Sequence, residues 1–370
     1  MSVLGNQRMT SNAPAPNEVD SRLIPASGMR RLVDAHLQEL VISVVAVVLV
    51  VFFTIDSPYF FTSENAATLA AFIAPIAFFA LAEVPILILG EIDLSVGEMY
   101  VLSPFAVEWL HDAGVPVGVG LIGALLICCA LGLINGLITV KLHIPSFIAT
   151  LGMTFALEGV ILIKSNGAPA NPVGSGRMVS ILGESTWSEA IWAGIAVVLL
   201  HVMLRRTTFG LHTVAVGGNP ESARESGIKV DFVKICCFVL CSGLGGVIGI
   251  LDGYHISSID PDTNGLSFMF YGVAAAVIGG TALTGGRGTM IGACIGASVL
   301  GILEDGFHVI SISSFAYDLV LGLAIVFAMT LNVQIERAGL RRRGRGSFSR
   351  AVNVIFDFIF ARREKVPVRR

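Results

Sequence analysis

The stretch ATLAAFIAPIAFFALAEVPILILG, Ala67–Gly90, carries one charged residue, Glu83. An α-helix crosses the hydrocarbon layer with about 20 predominantly apolar residues, whereas a barrel strand shows a short alternating pattern. This stretch has the length and the unbroken apolarity of the first kind. Similar blocks recur along the 370-residue chain, which is 54% hydrophobic and only 14% charged. Soluble domains carry roughly 25% charged residues, and a water-soluble core cannot hide this much apolar surface. The reading is therefore all-α, a polytopic transmembrane helical bundle.

Spans are expected at about 38–55, 67–90, 95–110, 118–140, 147–163, 189–204, 232–253, 269–284, 289–304 and 315–332, ten in all. With both termini cytoplasmic, 22 of the 24 Lys and Arg lie on the inner side, and only Lys164 and Arg177 lie outside. Long tails count little under the positive-inside rule, yet without them the ratio is still 7 to 2. An even number of crossings follows. The expected organisation is a polar N-terminal tail (1–37), a membrane domain (38–332) and a basic C-terminal tail (333–370). Residues 1–30 lack an apolar segment followed by a small-residue cleavage site, so they read as a cytoplasmic tail. The apolar run Val352–Phe360 is too short to cross and lies near Arg362 and Arg363; it is expected as an interfacial helix on anionic lipid.

Composition and motifs exclude several classes. A net charge of −3 gives no electrostatic footprint for nucleic acid. The cysteines Cys128, Cys129, Cys236, Cys237, Cys241 and Cys294 all lie in apolar stretches without metal-loop spacing, as small hydrophobes do. No metal site is expected. Gly279, Gly280, Gly285, Gly286 and Gly288 surround Arg287 without the Gly-Lys-Ser/Thr order of a phosphate cradle; they read as a tight inner turn. Neither a nucleophile elbow nor a zinc-protease motif occurs, so no catalytic residue is assigned. Gly132–Gly136, Gly245–Gly249 and Gly292–Gly296 have the small-xxx-small spacing that lets helices approach closely.

Two places are expected to be irregular. Pro75 and Pro85 should interrupt the second span, and Glu91 and Asp93 stand between apolar runs. Broken backbone at membrane depth persists only under cover of protein or water. Ser95-Val-Gly-Glu98 has the form of a capping box, placing a helix start there. Intramembrane polar groups are functional candidates by default; the pathway candidates are Glu83, Glu91, Asp93, Asn135 and Glu158, with Asp252 also noted. For Asn135 an interhelical hydrogen bond competes with a role in binding a hydroxylated solute.

The cytoplasmic loop Thr207–Val230 encodes a short helix with both ends signalled. Asn219 suits the N-cap, Pro220 the first turn, Glu221 the positive dipole end and Gly227 the left-handed residue past the last turn. Two isolated turns are marginal in water. The helix therefore docks either on a partner protein or on its own bundle.

This loop, with GEIDLSVGE (Gly90–Glu98), INGLITVKLHIPSFIATLG (Ile134–Gly152) and AAAVIGGTALTGGRGTMIGACIGA (Ala274–Ala297), resembles the ribose-type permease family of bacterial ABC importers, in the same order from Leu40 to Asn332. The resemblance implies a multi-pass inner-membrane subunit for a sugar or sugar-like solute, paired with a second permease chain as homodimer or heterodimer. It also implies an ABC ATPase subunit, which would bind the ATP while this chain binds no cofactor, and an extracytoplasmic solute-binding protein. By the same resemblance Asn219, Pro220, Glu221, Ser222, Ala223, Arg224, Glu225, Ser226 and Gly227 would form the ATPase-coupling helix and its caps. Glu91 stands where a second Gly is usual, and Glu158 where Arg is common; the plain readings of these acids are a capped helix end and a paired carboxylate. On residues alone, an ion-coupled secondary transporter using Glu83 and Glu158 is the alternative.

Overall fold

The computed structural model describes residues 28–185, 187–263 and 265–312, with isolated helical positions from 316 to 330. The expected tenth span (315–332) lies mostly outside the described residues, and Val352–Phe360 and the C-terminal tail lie wholly outside. The chain divides into two units, Met1–Leu37 and Gln38–Arg370, and the second holds the helical bundle.

Twelve α-helices are described, with one π-helical turn (Ser180–Glu184) after the sixth: α1 (Gly28–Asp56), α2 (Ser63–Ile88), α3 (Val96–Asp112), α4 (Val117–Lys141), α5 (Ser146–Ser165), α6 (Arg177–Val179), α7 (Ser188–Arg206), α8 (Thr208–Gly218), α9 (Pro220–Glu225), α10 (Val230–Ile256), α11 (Gly265–Ile278) and α12 (Met290–Val309). No strand is present among the described residues, apart from the isolated bridge Ala170–Ile259. Among these residues seven helices are long and apolar enough to cross a membrane: α1 from Glu39, then α2, α4, α5, α7, α10 and α12. The protein is a multi-pass helical membrane protein.

α2 is the buried centre. Every residue from Ala74 to Ile88 is buried, and α2 packs on α7, α10, α11 and α12. At the periphery α1 exposes Val44, Val47, Val48 and Val51, and α4 exposes Val119, Ile122 and Leu126. Such faces suit lipid and would be a liability in water. The prolines do not interrupt α2 as the sequence suggested; the helix is continuous through Pro75 and Pro85. Pro is tolerated in membrane helices because closely packed neighbours compensate the lost bond, and α2 is packed from Ala74 onward.

α3 and α11 are short, at 17 and 14 residues, because each begins inside the bundle. Val96, the first residue of α3, meets Gly245, which by helical rise stands about 22 Å along α10 from Val230. Gly249 and Gly253 then admit Tyr100 and Pro104, so glycines four apart on α10 seat successive turns of α3. The α11 start meets the α3 start backbone to backbone, at Gly265 against Gly97. The expected small-residue packing holds elsewhere too: Gly132 lies on Phe238 and Ser242, Gly136 on Ile235, and Gly292 on Gly279. The cysteines are free, three of them buried and three half-buried.

Candidate functional site

The stretch between α2 and α3 is the irregular segment that the sequence placed at Glu91 and Asp93. Gly90 takes a positive φ of 73° and ends α2, with the Glu91 amide donating to the Ile86 carbonyl at 3.1 Å. This is the left-handed helix stop that glycine supplies at no steric cost. Glu91 itself does not need a positive φ, so Glu is accommodated where the resembled family has a second Gly.

The extended backbone after it finds its partners on α5. The Ile92 amide donates to Ser146 Oγ at 3.3 Å, and the Leu94 amide to Thr150 Oγ1 at 3.1 Å. Ser146 and Thr150 are one helical turn apart, so a single α5 face satisfies the half-buried Ile92 amide and the buried Leu94 amide. Neither residue was singled out from sequence, although hydroxyls four apart on an apolar helix are a legible signal.

Ser95 stands at the α3 N-cap position but does not cap it, contrary to the capping-box reading. Its amide and hydroxyl both donate to Asp93 Oδ1, at 3.0 and 2.7 Å, and its Oγ accepts from Asn135 Nδ2 at 2.7 Å. The Ser95 backbone, at φ −77° and ψ −12°, is already helical and lacks the extended geometry from which an N-cap side chain reaches the first-turn amides. Asn135 makes an interhelical bond, and its Oδ1 is buried without a partner.

The five pathway candidates separate. Glu83, Asp93 and Asn135 are fully buried and turn toward one interior region between α2, the break, α4 and α10. There Cys241 donates to Glu83 Oε1 at 3.9 Å, and Glu83 Oε2, Asp93 Oδ2 and Ser242 Oγ lack partners. Glu91 stays outside this cluster, ion-paired to Lys234 of α10, a partner that was not foreseen. Glu158 is exposed on α5 near Phe155, within electrostatic range of Glu98 on α3, and is not brought to the cluster.

The short helix of the Thr207–Val230 loop forms with the caps that the sequence specified. Asn219 Oδ1 accepts from the Glu221 and Ser222 amides, both at 3.0 Å. At the other end Gly227 has a φ of 85°, and the Ile228 amide closes onto the Ala223 carbonyl at 3.0 Å. Within α9 only Ala223 is buried, while Glu221, Ser222, Arg224 and Glu225 face outward. The preceding α8 packs against α2, α7 and α10, so the exposed helix is tied to the core through its neighbour.

On the opposite side of the bundle the loop after α5 is ordered: the Ala170 amide donates to the Ile259 carbonyl at 2.8 Å, with the reciprocal bond also 2.8 Å, and Tyr254 donates to the Val173 carbonyl at 2.6 Å. Beneath it Tyr100 donates its hydroxyl to Asp252, and the buried Glu189 carboxyl lies beside Asp252. Tyr100 and Glu189 were not picked from the sequence; only Asp252 was.

The chain shares most of its length with known proteins. A family described as branched-chain amino acid transport system / permease component matches residues 65–329. The chain is 34% identical to the xylose/arabinose import permease protein XylH of Sulfolobus acidocaldarius, over 80% of this chain and 85% of that protein. It is 31% identical to the ribose import permease protein RbsC of Escherichia coli, over 83% and 97% respectively. With the L-arabinose ABC transporter permease protein AraH of Azospirillum brasilense the identity is 33%, over 77% and 85%. No solved structure matches the chain.

Proposed function

The chain belongs to the branched-chain amino acid transport system / permease component family, and from that premise we propose that it is the membrane-spanning subunit of an ATP-driven importer for a sugar or sugar-like solute. The observation that carries the solute class is the near full-length similarity to xylose/arabinose, ribose and L-arabinose permeases, which bears on the cargo more closely than the family's own description does. This favours the importer over the ion-coupled carrier that Glu83 and Glu158 alone would allow.

In this reading ten spans place both termini in the cytoplasm, with the membrane domain at 38–332 between the two tails. The subunit sits in the bacterial inner membrane beside a second permease chain, homologous or identical, and among lipids. A separate ABC ATPase binds ATP, and an extracytoplasmic binding protein delivers the solute; the chain holds no cofactor and performs no covalent step.

The mechanism is conformational. The Asn219–Gly227 segment presents its outward face to an ATPase cleft. Motion of α9 passes through α8 to the end of α2, because Gly217 of α8 rests on the Ile88 carbonyl. That is where the break carrying Glu91 and Asp93 begins, so displacement there shifts α3 relative to α2. Glu83, Asp93 and Asn135 line the hinge side of the pathway, and Glu91 and Glu158 stand as its more peripheral candidates.

Uptake by proteoliposomes containing the chain with and without its ATPase, across pentoses, hexoses, deoxysugars and polyols, tests the proposal. Uptake requiring both ATPase and binding protein is the expected result. Uptake by the chain alone on an imposed proton or sodium gradient would overturn it.

A further inference from the structure

A cavity of about 270 Å³ opens between α3, α10 and the residues that descend from the end of α10 toward the start of α11. Its wall includes Tyr100, Asp252, Ser258, Asp260 and Thr263, and among the described residues no Lys, Arg or His lines it. The volume is a little below the roughly 300–1,000 Å³ of pockets for drug-sized ligands, which is the scale of one monosaccharide.

The cavity is built into the fold. Gly249 brings α10 against the α3 backbone and Gly253 admits the Pro104 ring, and a side chain at Gly249 would collide with the Tyr100 carbonyl and Ser103. That close approach lets the Tyr100 hydroxyl reach Asp252 across the two helices. Ser257, left-handed at a φ of 57°, then turns the chain off the end of α10, and Ile259 is pinned to Ala170 by paired backbone bonds. The descending segment is thereby held over the cavity with Ser258, Asp260 and Thr263 on its wall. Tyr100 and Asp252 are 7% and 6% exposed, so their polar atoms are almost wholly withdrawn from bulk water.

We infer that this cavity receives one neutral polyhydroxylated solute on its way through the protein, its hydroxyls bonded to Asp252, Tyr100 and the Ser258 and Thr263 side chains. Carboxylates accept from solute hydroxyls with charge-assisted strength, while Ser and Thr hydroxyls both donate and accept. Two carboxylates on a wall without a cation repel an anionic solute, so sugar acids are excluded. The inference rests on the importer reading and adds to it a site within a single permease chain, distinct from the buried cluster around Asp93.

The test uses the assembled transporter with Ser258→Cys, exposed from the outer side to a membrane-impermeant thiol reagent, with the unsubstituted transporter as background. Without ATP, neutral pentoses, hexoses or polyols slow the labelling of Cys at this position, whereas a sugar acid does not. Adding Asp252→Asn raises the solute concentration needed for protection about tenfold to a hundredfold, the range expected for losing a hydrogen bond to a charged group. If that variant fails to reach the membrane, Thr263→Val substitutes for it and gives a smaller rise. Labelling that proceeds at the same rate with and without every neutral solute overturns the site, as does protection unchanged by both substitutions. Equal protection by a sugar acid overturns the neutral class. Uptake by the same vesicles with ATP is a separate readout: protection without ATP-driven uptake would sink the importer reading and leave the cavity standing.

Discussion

Gly217 and Ile88 meet backbone to backbone, and a methyl group on Gly217 would overlap the Ile88 carbonyl oxygen. The same oxygen accepts the Gly286 amide at 2.7 Å. One carbonyl thus joins three segments: the helix before α9, the end of α2 and the turn between α11 and α12. The glycine cluster around Arg287 is more than a tight turn, since Gly286 is the donor that holds this junction.

Gly217→Ala should separate ATP hydrolysis from transport. Overpacking a tight contact costs about 1–3 kcal/mol, and here the colliding atom is backbone that cannot rotate away. Gly218→Ala, with open space around it, should behave as wild type. The ratio of solute taken up to ATP hydrolysed in proteoliposomes measures the difference; equal ratios for the two variants would move the link elsewhere.

Asn219→Ala removes the side-chain acceptor of two amides on α9 and should cost that helix about 1 kcal/mol. Uptake should fall at unchanged membrane level, because a two-turn helix has little else to hold it. Asn219→Asp keeps the acceptor and should retain most activity in the same uptake assay.

The ion pair of Glu91 with Lys234 is partly buried, with side-chain exposures of 16% and 22%. Removing either partner strands a charge, so Glu91→Gln or Lys234→Met should each destabilise the protein by an amount approaching the roughly 3–5 kcal/mol seen for breaking buried pairs. The double substitution should cost less than the sum of the two. Thermal unfolding in lipid nanodiscs gives all three values, and strict additivity would show that the pair is not coupled.

Ser95→Ala and Thr139→Val should act in opposite directions. Ser95 joins Asp93 to Asn135, and its loss leaves buried polar groups unpaired at about 1–3 kcal/mol. The Thr139 hydroxyl is buried without a partner, so Val of similar shape removes a desolvated group and should be neutral or stabilising. Unfolding temperatures of the two variants, compared with wild type, decide this.

Much of the fold was legible because it depends on local rules. The α9 caps at Asn219 and Gly227 are set by residues within one turn of the atoms they satisfy, and they formed as read. Pro75, Pro85 and Ser95 were misread for the converse reason. Whether a proline breaks a helix depends on what surrounds it, and whether a serine caps one depends on its backbone being extended. The Ser95 backbone is already helical, and its hydroxyl bonds to Asp93 and Asn135, outside the S-x-x-E motif.

The sequence by itself determined that this chain is a bundle of apolar helices, where its irregular segments fall and where its short capped helix lies. Apolar length, charge placement and capping chemistry act over a few residues or along one segment. Only the tertiary structure decided that Glu91 is neutralised by Lys234, that Glu158 stands apart from Glu83 and Asp93, and that Tyr100 reaches Asp252 beside a cavity. The paired residues lie 143 and 152 positions apart, and what joins them is glycine-mediated packing of α10 against its neighbours. The glycine spacing on α10 is legible in the chain, but which residues it seats, Val96, Tyr100 and Pro104, is fixed only when α3 is packed against it.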